Sequence, residues 1–382
     1  MLEKRWLLRL GPPVAALGAL GLLASASTGA VGRPWEPPPC AARAGAIAAA
    51  AAVEAPVDPE HATGEVWYRL DPHLADDGAL AGQRLEIGWR GARHHFLELP
   101  PESFAAGPFG RLILVGSDGG QASELAAIDL SAGCAWSLGG DASVIRRATI
   151  APDAASIYDF RVDRTTRADL GVWRRSLDGS VVRRVIDPLP QDGDFGPTFT
   201  TELSWTAERD RLVVQSCGAA ACRTRLFDPL TARVSMTAGR DQGELIGVAG
   251  GLVVHYAATC GGLPCPILAV DVATGSSRVL ADAAGFARLV TTSRGSLLVT
   301  EVQHGDRRAL RIVALDGTDE HTVEVADGLR LVPDAARSAS GIRSPAGWAL
   351  LAPNARVGLD PRNEMVIRLD DGAIVRRLEV SQ

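Results

Sequence analysis

The stretch Leu203–Thr237, LSWTAERDRLVVQSCGAAACRTRLFDPLTARVSMT, decides the fold. Leu203-Ser204-Trp205 reads as a short inner strand and Thr206 to Asp210 as a turn. Arg211 to Ser216, with Leu212, Val213 and Val214, reads as a second strand, and Arg223 to Phe227 as a third. Asp228-Pro229-Leu230-Thr231 turns the chain again, and Arg233 to Thr237 is a more polar fourth strand. Continuous apolar runs suit strands covered on both faces, whereas an outer strand with one wet face should alternate. The stretch is therefore one four-stranded antiparallel unit.

The same texture recurs along the chain. Acidic turns stand at Asp129, Asp178, Asp228, Asp271, Asp316 and Asp370, at intervals of 49, 50, 43, 45 and 54 residues. A period of 40–50 residues built from strands alone is the signature of propeller blades. A further hairpin lies upstream, with Gln83–Trp89 and His94–Leu99 as strands and Val66–Leu70 as a candidate partner. The expectation is an all-β, single β-propeller of four-stranded antiparallel blades, seven in number, with six as the alternative. Ring closure is expected to bring the terminal segments together and so remove exposed edges.

The cysteines give an independent check of the register. Cys217-Gly-Ala-Ala-Ala-Cys222 and Cys260-Gly-Gly-Leu-Pro-Cys265 share one spacing, and Cys222 and Cys265 each stand six residues before their turn aspartates, Asp228 and Asp271. Two blades thus carry the same cysteine hairpin at the same place, and each pair is predicted to form a disulfide across a tight turn. A four-cysteine zinc site is the rival reading, but its usual spacing is shorter. Cys40 and Cys134 remain as a third pair by elimination.

The compartment follows from both ends of this reading. Lys4, Arg5 and Arg9 precede an apolar run, Leu10–Leu23, and Ala24-Ser25-Ala26 fits a signal-peptidase site. Residues 1–26 are read as a signal peptide, 27–63 as a Pro/Ala-rich linker and 64–382 as the propeller domain. The apolar run is short for a membrane span, so membrane association is expected only if this segment stays uncleaved as an anchor. Paired cysteines suit an oxidising, extracytoplasmic location, secreted or in the cell envelope.

Net charge is −6, and the basic residues are almost all arginine. An acidic balance argues against a nucleic-acid partner. Hydrophobic residues make up 46% and charged residues 22%, enough for a large folded core.

At the turns, Ala151-Pro152-Asp153 before the strand Ser156–Arg161, with Val332-Pro333-Asp334 as a second copy, resembles the blade turn of TolB-like bacterial propellers. The DxxTG and LDG turns share that style. The resemblance implies the fold over roughly residues 65–381 and little about function, because propellers host many roles. The GH…WD signature of WD40 repeats is absent, as is the N-terminal domain of TolB itself, so a Tol-system role does not carry over.

No named chemistry emerges. The sequence has no G-x-S-x-G, no phosphate-binding loop and no H-E-x-x-H. His94 and His95 are adjacent on a strand and project to opposite faces, so they cannot share one ion. Asp192-Gly193-Asp194 lacks the rest of a calcium loop. Trp67, Trp89, Trp136, Trp173, Trp205 and Trp348 read chiefly as packing residues, with one or two available to a binding funnel. No catalytic, metal or cofactor residue is assigned. The expected function is a non-enzymatic, monomeric binding or protein-interaction scaffold for a protein or glycan ligand. The alternative is a propeller enzyme, a glycoside hydrolase or lactonase type, whose residues would converge on the axis from several blades. The funnel lining discriminates: three or more converging Asp, Glu or His favour the enzyme, and an apolar or a mixed arginine and aromatic lining favours binding.

Overall fold

The computed structural model describes the chain from Val66 to Arg377 with short internal breaks, the longest at 333–347 and 354–364. The readings of residues 1–26 and 27–63, Cys40 of the Cys40–Cys134 pair, and the motifs at Asp178, Asp192–Asp194, Pro333–Asp334 and Asp370 fall on residues outside those described.

Among the described residues seven antiparallel sheets follow one another along the chain, each made of consecutive strands. Blade 1 has three strands: β1 (Val66–Leu74), β2 (Leu80–Trp89) and β3 (Ala92–Leu99). Blades 2 to 7 have four each. Blade 2 is β4 (Phe104–Phe109), β5 (Leu112–Asp118), β6 (Ser123–Asp129) and β7 (Cys134–Asp141). Blade 3 is β8 (Val144–Ile150), β9 (Ser156–Val162), β10 (Asp169–Ser176) and β11 (Val182–Ile186). Blade 4 is β12 (Thr200–Trp205), β13 (Leu212–Cys217), β14 (Cys222–Asp228) and β15 (Arg233–Met236). Blade 5 is β16 (Gln242–Ala249), β17 (Leu252–Ala257), β18 (Cys265–Asp271) and β19 (Ser277–Ala284). Blade 6 is β20 (Ala287–Thr292), β21 (Gly295–His304), β22 (Arg307–Ala314) and β23 (Glu320–Glu324). Blade 7 is β24 (Leu329–Leu331), β25 (Trp348–Pro353), β26 (Met365–Arg368) and β27 (Ile374–Arg377).

First strands of successive blades lie side by side, β1 by β4, β4 by β8, β8 by β12 and β16 by β20, which puts them innermost. Core clusters then join each blade to the next. Leu85 packs with Ile113 between blades 1 and 2, Trp136 with Ile157 between 2 and 3, and Tyr158 with Phe227 between 3 and 4. Leu226 packs with Val253, Tyr256 belongs to the cluster of Leu298, and Leu310 to that of Leu351, which completes the series through blade 7. This is a β-propeller. Among the described residues no strand from one end of the chain enters the sheet of the other end.

The cysteine-to-aspartate spacing has a simple meaning: it is the length of the third strand, β14 running Cys222–Asp228 and β18 running Cys265–Asp271. Asp228 and Asp271 close the turn to the fourth strand by accepting hydrogen bonds from Leu230 and Thr231, and from Ala273 and Thr274. Cys217–Cys222 and Cys260–Cys265 are disulfides. Cys217 and Cys222 face each other as the last register pair of β13 and β14, whereas Cys260 lies in the loop beyond β17. One expectation needs correcting. The outer strand β15 does not alternate but is exposed at all four positions, because the sheets diverge at the rim and leave both of its faces wet.

Candidate functional site: the charged mouth of the funnel

Antiparallel meanders place the hairpins between second and third strands, and the connections between blades, on one face of the ring. Both disulfide hairpins lie there. So do the starts of the innermost strands, and these carry charge. Arg146 and Arg147 lie in β8, Glu202 in β12, Glu244 in β16, Arg288 in β20 and Arg330 in β24, each within the first four residues of its strand. Five successive blades thus build a collar at one mouth of the funnel. Among the described side chains of the first strands it holds four arginines and two glutamates, against the chain's overall negative charge.

The collar members differ in freedom. Arg330 is committed: it donates through Nε and Nη2 to Glu301 of β21 at 2.8 and 2.7 Å, and its guanidinium lies 4.8 Å over the Phe286 ring. The Leu331 amide also donates to Glu301, at 2.5 Å, so one buried carboxylate ties blade 6 to blade 7. Arg147 is exposed on an innermost strand, and its Nη1 donates to the Arg146 carbonyl at 3.1 Å. Among the described residues it meets no carboxylate. Glu244 is also exposed.

Beneath the collar, buried polar groups lock the blades together. Asp159 accepts from Arg161 Nε and Arg175 Nε, both at 2.5 Å, and Arg175 Nη1 reaches the Leu138 carbonyl of blade 2 at 2.9 Å. Arg161 also pairs with Asp141 and lies 4.3 Å over Trp173. Burial pushes the Asp141 carboxyl up, but two hydrogen bonds from Ser143 and the neighbouring guanidinium outweigh it, so its pKa lies below the usual range. Between blades 3 and 4, Asp169 accepts from Arg225 Nη2 at 2.5 Å, from the Gly171 amide at 2.6 Å and from Ser216 Oγ at 3.2 Å. Burial is the larger influence there: it raises the Asp169 pKa and lowers that of Arg225. Between blades 4 and 5, Gln215 donates to the Gly243 carbonyl at 3.0 Å and accepts from the Leu245 amide at 2.9 Å.

Sequence reading paired Cys217 with Cys222 and Cys260 with Cys265 correctly and missed the collar. A charged residue near the start of an otherwise apolar short strand was the available signal. Trp136 is buried, as a packing role requires, and Trp205 packs edge-on against Tyr158 with ring centroids 5.6 Å apart. His94 and His95 are successive residues of β3. Among the described residues no group of three or more His, Cys, Asp or Glu is arranged to hold a metal ion.

No family model and no curated protein matches this sequence. Solved structures do. A prolyl endopeptidase matches with TM-score 0.51 and 14% identity, over 87% of this chain and 53% of that one. An oligogalacturonate lyase solved with manganese matches with TM-score 0.51 and 11% identity, over 82% and 84%. TolB from Acinetobacter baumannii matches with TM-score 0.38 and 14% identity, over 69% and 63%. The chain therefore spans about half the length of the endopeptidase and less than two thirds of that TolB. At such identities the likeness establishes the fold and not the chemistry.

Proposed function

We propose that this chain is an exported, non-enzymatic β-propeller that serves as a binding or protein-interaction scaffold in the cell envelope or extracellular space. Its partner seats on the face that carries the collar and the disulfide hairpins. One collar residue carries this reading: Arg147 is exposed on an innermost strand, and among the described residues it meets no carboxylate. Fixed guanidinium donors suit recognition of a partner's polar groups. Two hairpins closed by disulfides support an oxidising compartment and give the face a rigid rim.

A propeller enzyme is the competing reading, since an oligogalacturonate lyase shares the fold over most of its length. One experiment separates the two. The mature protein, immobilised, is used to recover partners from envelope extract and culture medium, beside Arg147→Glu. The binding reading expects a partner held by the natural protein and lost by the variant. Turnover of polysaccharide or lactone substrates that disappears in Glu202→Gln/Glu244→Gln would replace it with the enzyme.

A further inference from the structure

A second feature lies on the opposite side of blade 3, away from the collar. Strand register aligns one residue from each strand in a row across a blade. In blade 3 the row is Thr149, Tyr158, Arg174, Arg183, from the innermost strand outward. In blade 4 it is Trp205, Leu212, Phe227, Val234. These rows face each other. Tyr158 meets Trp205 at 5.6 Å and Phe227 at 6.2 Å between ring centroids, so the inner halves form a closed aromatic contact. The outer halves do not match. Arg174 and Arg183 continue one wall, while Val234, 44% exposed, continues the other. Met236, 53% exposed, stands two residues further along β15 on the same face.

Both arginines break a local rule. Residues directly opposite on antiparallel strands have Cβ atoms about 4.5–5.5 Å apart, and like charges there repel. Arg174 is held by donating Nε to Ser156 Oγ at 2.6 Å, which fixes its direction. Among the described residues neither guanidinium is paired with a carboxylate, and Arg183 is exposed. Asp153 lies exposed in the turn before β9. By contrast the next arginine, Arg175, points to the other face and is spent on Asp159. The blade holding this pair is the basic sector of an acidic chain: residues 144–187 carry nine arginines against six aspartates.

We propose that the wedge between the outer halves of blades 3 and 4 is a docking groove for a short extended segment of a partner protein, one that carries a carboxylate beside an apolar side chain. As directly opposed residues of β10 and β11, Arg174 and Arg183 can offer two guanidinium groups to one carboxylate, which converts their repulsion into a shared ion pair. Val234 and Met236 receive the neighbouring apolar residue. The four residues of β15 and five of β11 match a peptide of similar length. A nucleic acid or polyphosphate fits less well, because the wall opposite the arginines is apolar. This site is independent of the funnel reading and can fail or stand without it.

The test uses the full mature chain and a random-peptide display library as probe. Enriched peptides should combine Asp or Glu with Leu, Ile, Val or Phe. Their binding to Arg183→Glu should weaken at least about tenfold, and binding to Arg183→Gln should weaken less, as loss of a charge-assisted contact requires. Added salt should weaken binding to the natural chain, while Arg147→Glu should leave it unchanged. Arg183 is exposed, and an unaltered unfolding midpoint for both Arg183 variants excludes misfolding as the cause. Peptides enriched without acidic residues, full retention by Arg183→Glu, or no enrichment at all would each overturn the groove. Loss through Arg147→Glu alone would move the contact to the funnel instead.

Discussion

Asp169 and Arg225 stand 2.5 Å apart with both side chains buried, one in blade 3 and the other in blade 4. Neither charge has water to fall back on, so each depends on the other. Replacing Arg225 by Met leaves an ionised carboxylate buried with only the Gly171 amide and Ser216 hydroxyl, and is expected to cost about 3–5 kcal/mol. Asp169→Asn on top of that change should recover a large part. Urea unfolding of the two single variants and the double variant measures the coupling; additive losses would show that the pair is not a unit.

The Gly171 amide that serves Asp169 sits in a backbone with φ +85°, and a Cβ placed there would lie 2.0 Å from the Ile186 carbonyl oxygen. The left-handed conformation and the clash both oppose a side chain. Gly171→Ala is expected to lower stability by about 2 kcal/mol or more, and to loosen β11 first, because Ile186 anchors that strand to β10. Hydrogen exchange of β11 amides against those of β9 would reveal that order; equal protection changes in both strands would refute it.

Each hairpin disulfide closes a loop with a sequence separation of 5. In the chain-entropy estimate a loop so short stabilises by only about 2 kcal/mol. Cys217→Ser/Cys222→Ser should therefore fold, with an unfolding free energy lowered by about that much in urea titration, and the Cys260→Ser/Cys265→Ser variant should behave alike. Peptide mapping of the natural protein should find both pairs linked; free thiols in all four positions would contradict the structure.

Much of the propeller was legible because its signals are local. The apolar second strand Leu212–Ser216, the turn at Asp228 and the cysteine pair sit within a few residues of one another, so short-range periodicity exposes them. The blade-to-blade ties are not local. Asp169 and Arg225 are 56 residues apart, and Arg175 and Leu138 are 37 apart. On the page Arg174-Arg175 is merely a charged pair on a strand. Only the fold shows that Arg175 is neutralised inside while Arg174 is left facing the groove. Arg147 was equally silent, since nothing in β8 marks it as an innermost strand until its neighbours are placed.

Acid should destabilise the turns, and the direction can be worked out group by group. Asp228 is held below the usual carboxylate range chiefly by the Thr231 hydroxyl, Asp271 by the Thr274 amide and Asp316 by the Thr318 hydroxyl. A pKa lower in the folded than in the unfolded chain means that this stabilisation is complete above about pH 4 and is lost as pH falls through the folded value. Asp169 works the other way: burial raises its folded pKa, so rising pH through its titration costs stability and acid restores it. Six depressed carboxylates, these three with Asp141, Asp163 and Glu320, against two raised ones, Asp169 and Glu124, predict a net loss of stability as pH falls below about 4. Replacing Asp228, Asp271 and Asp316 together by Asn keeps a side-chain oxygen to accept the turn hydrogen bonds but removes the titration. That variant should show a flatter acid limb in its unfolding midpoint than the natural chain. If the acid limbs coincide, the acid loss arises at a depressed carboxylate between blades, and Asp141→Asn rather than the turn variant should then flatten it.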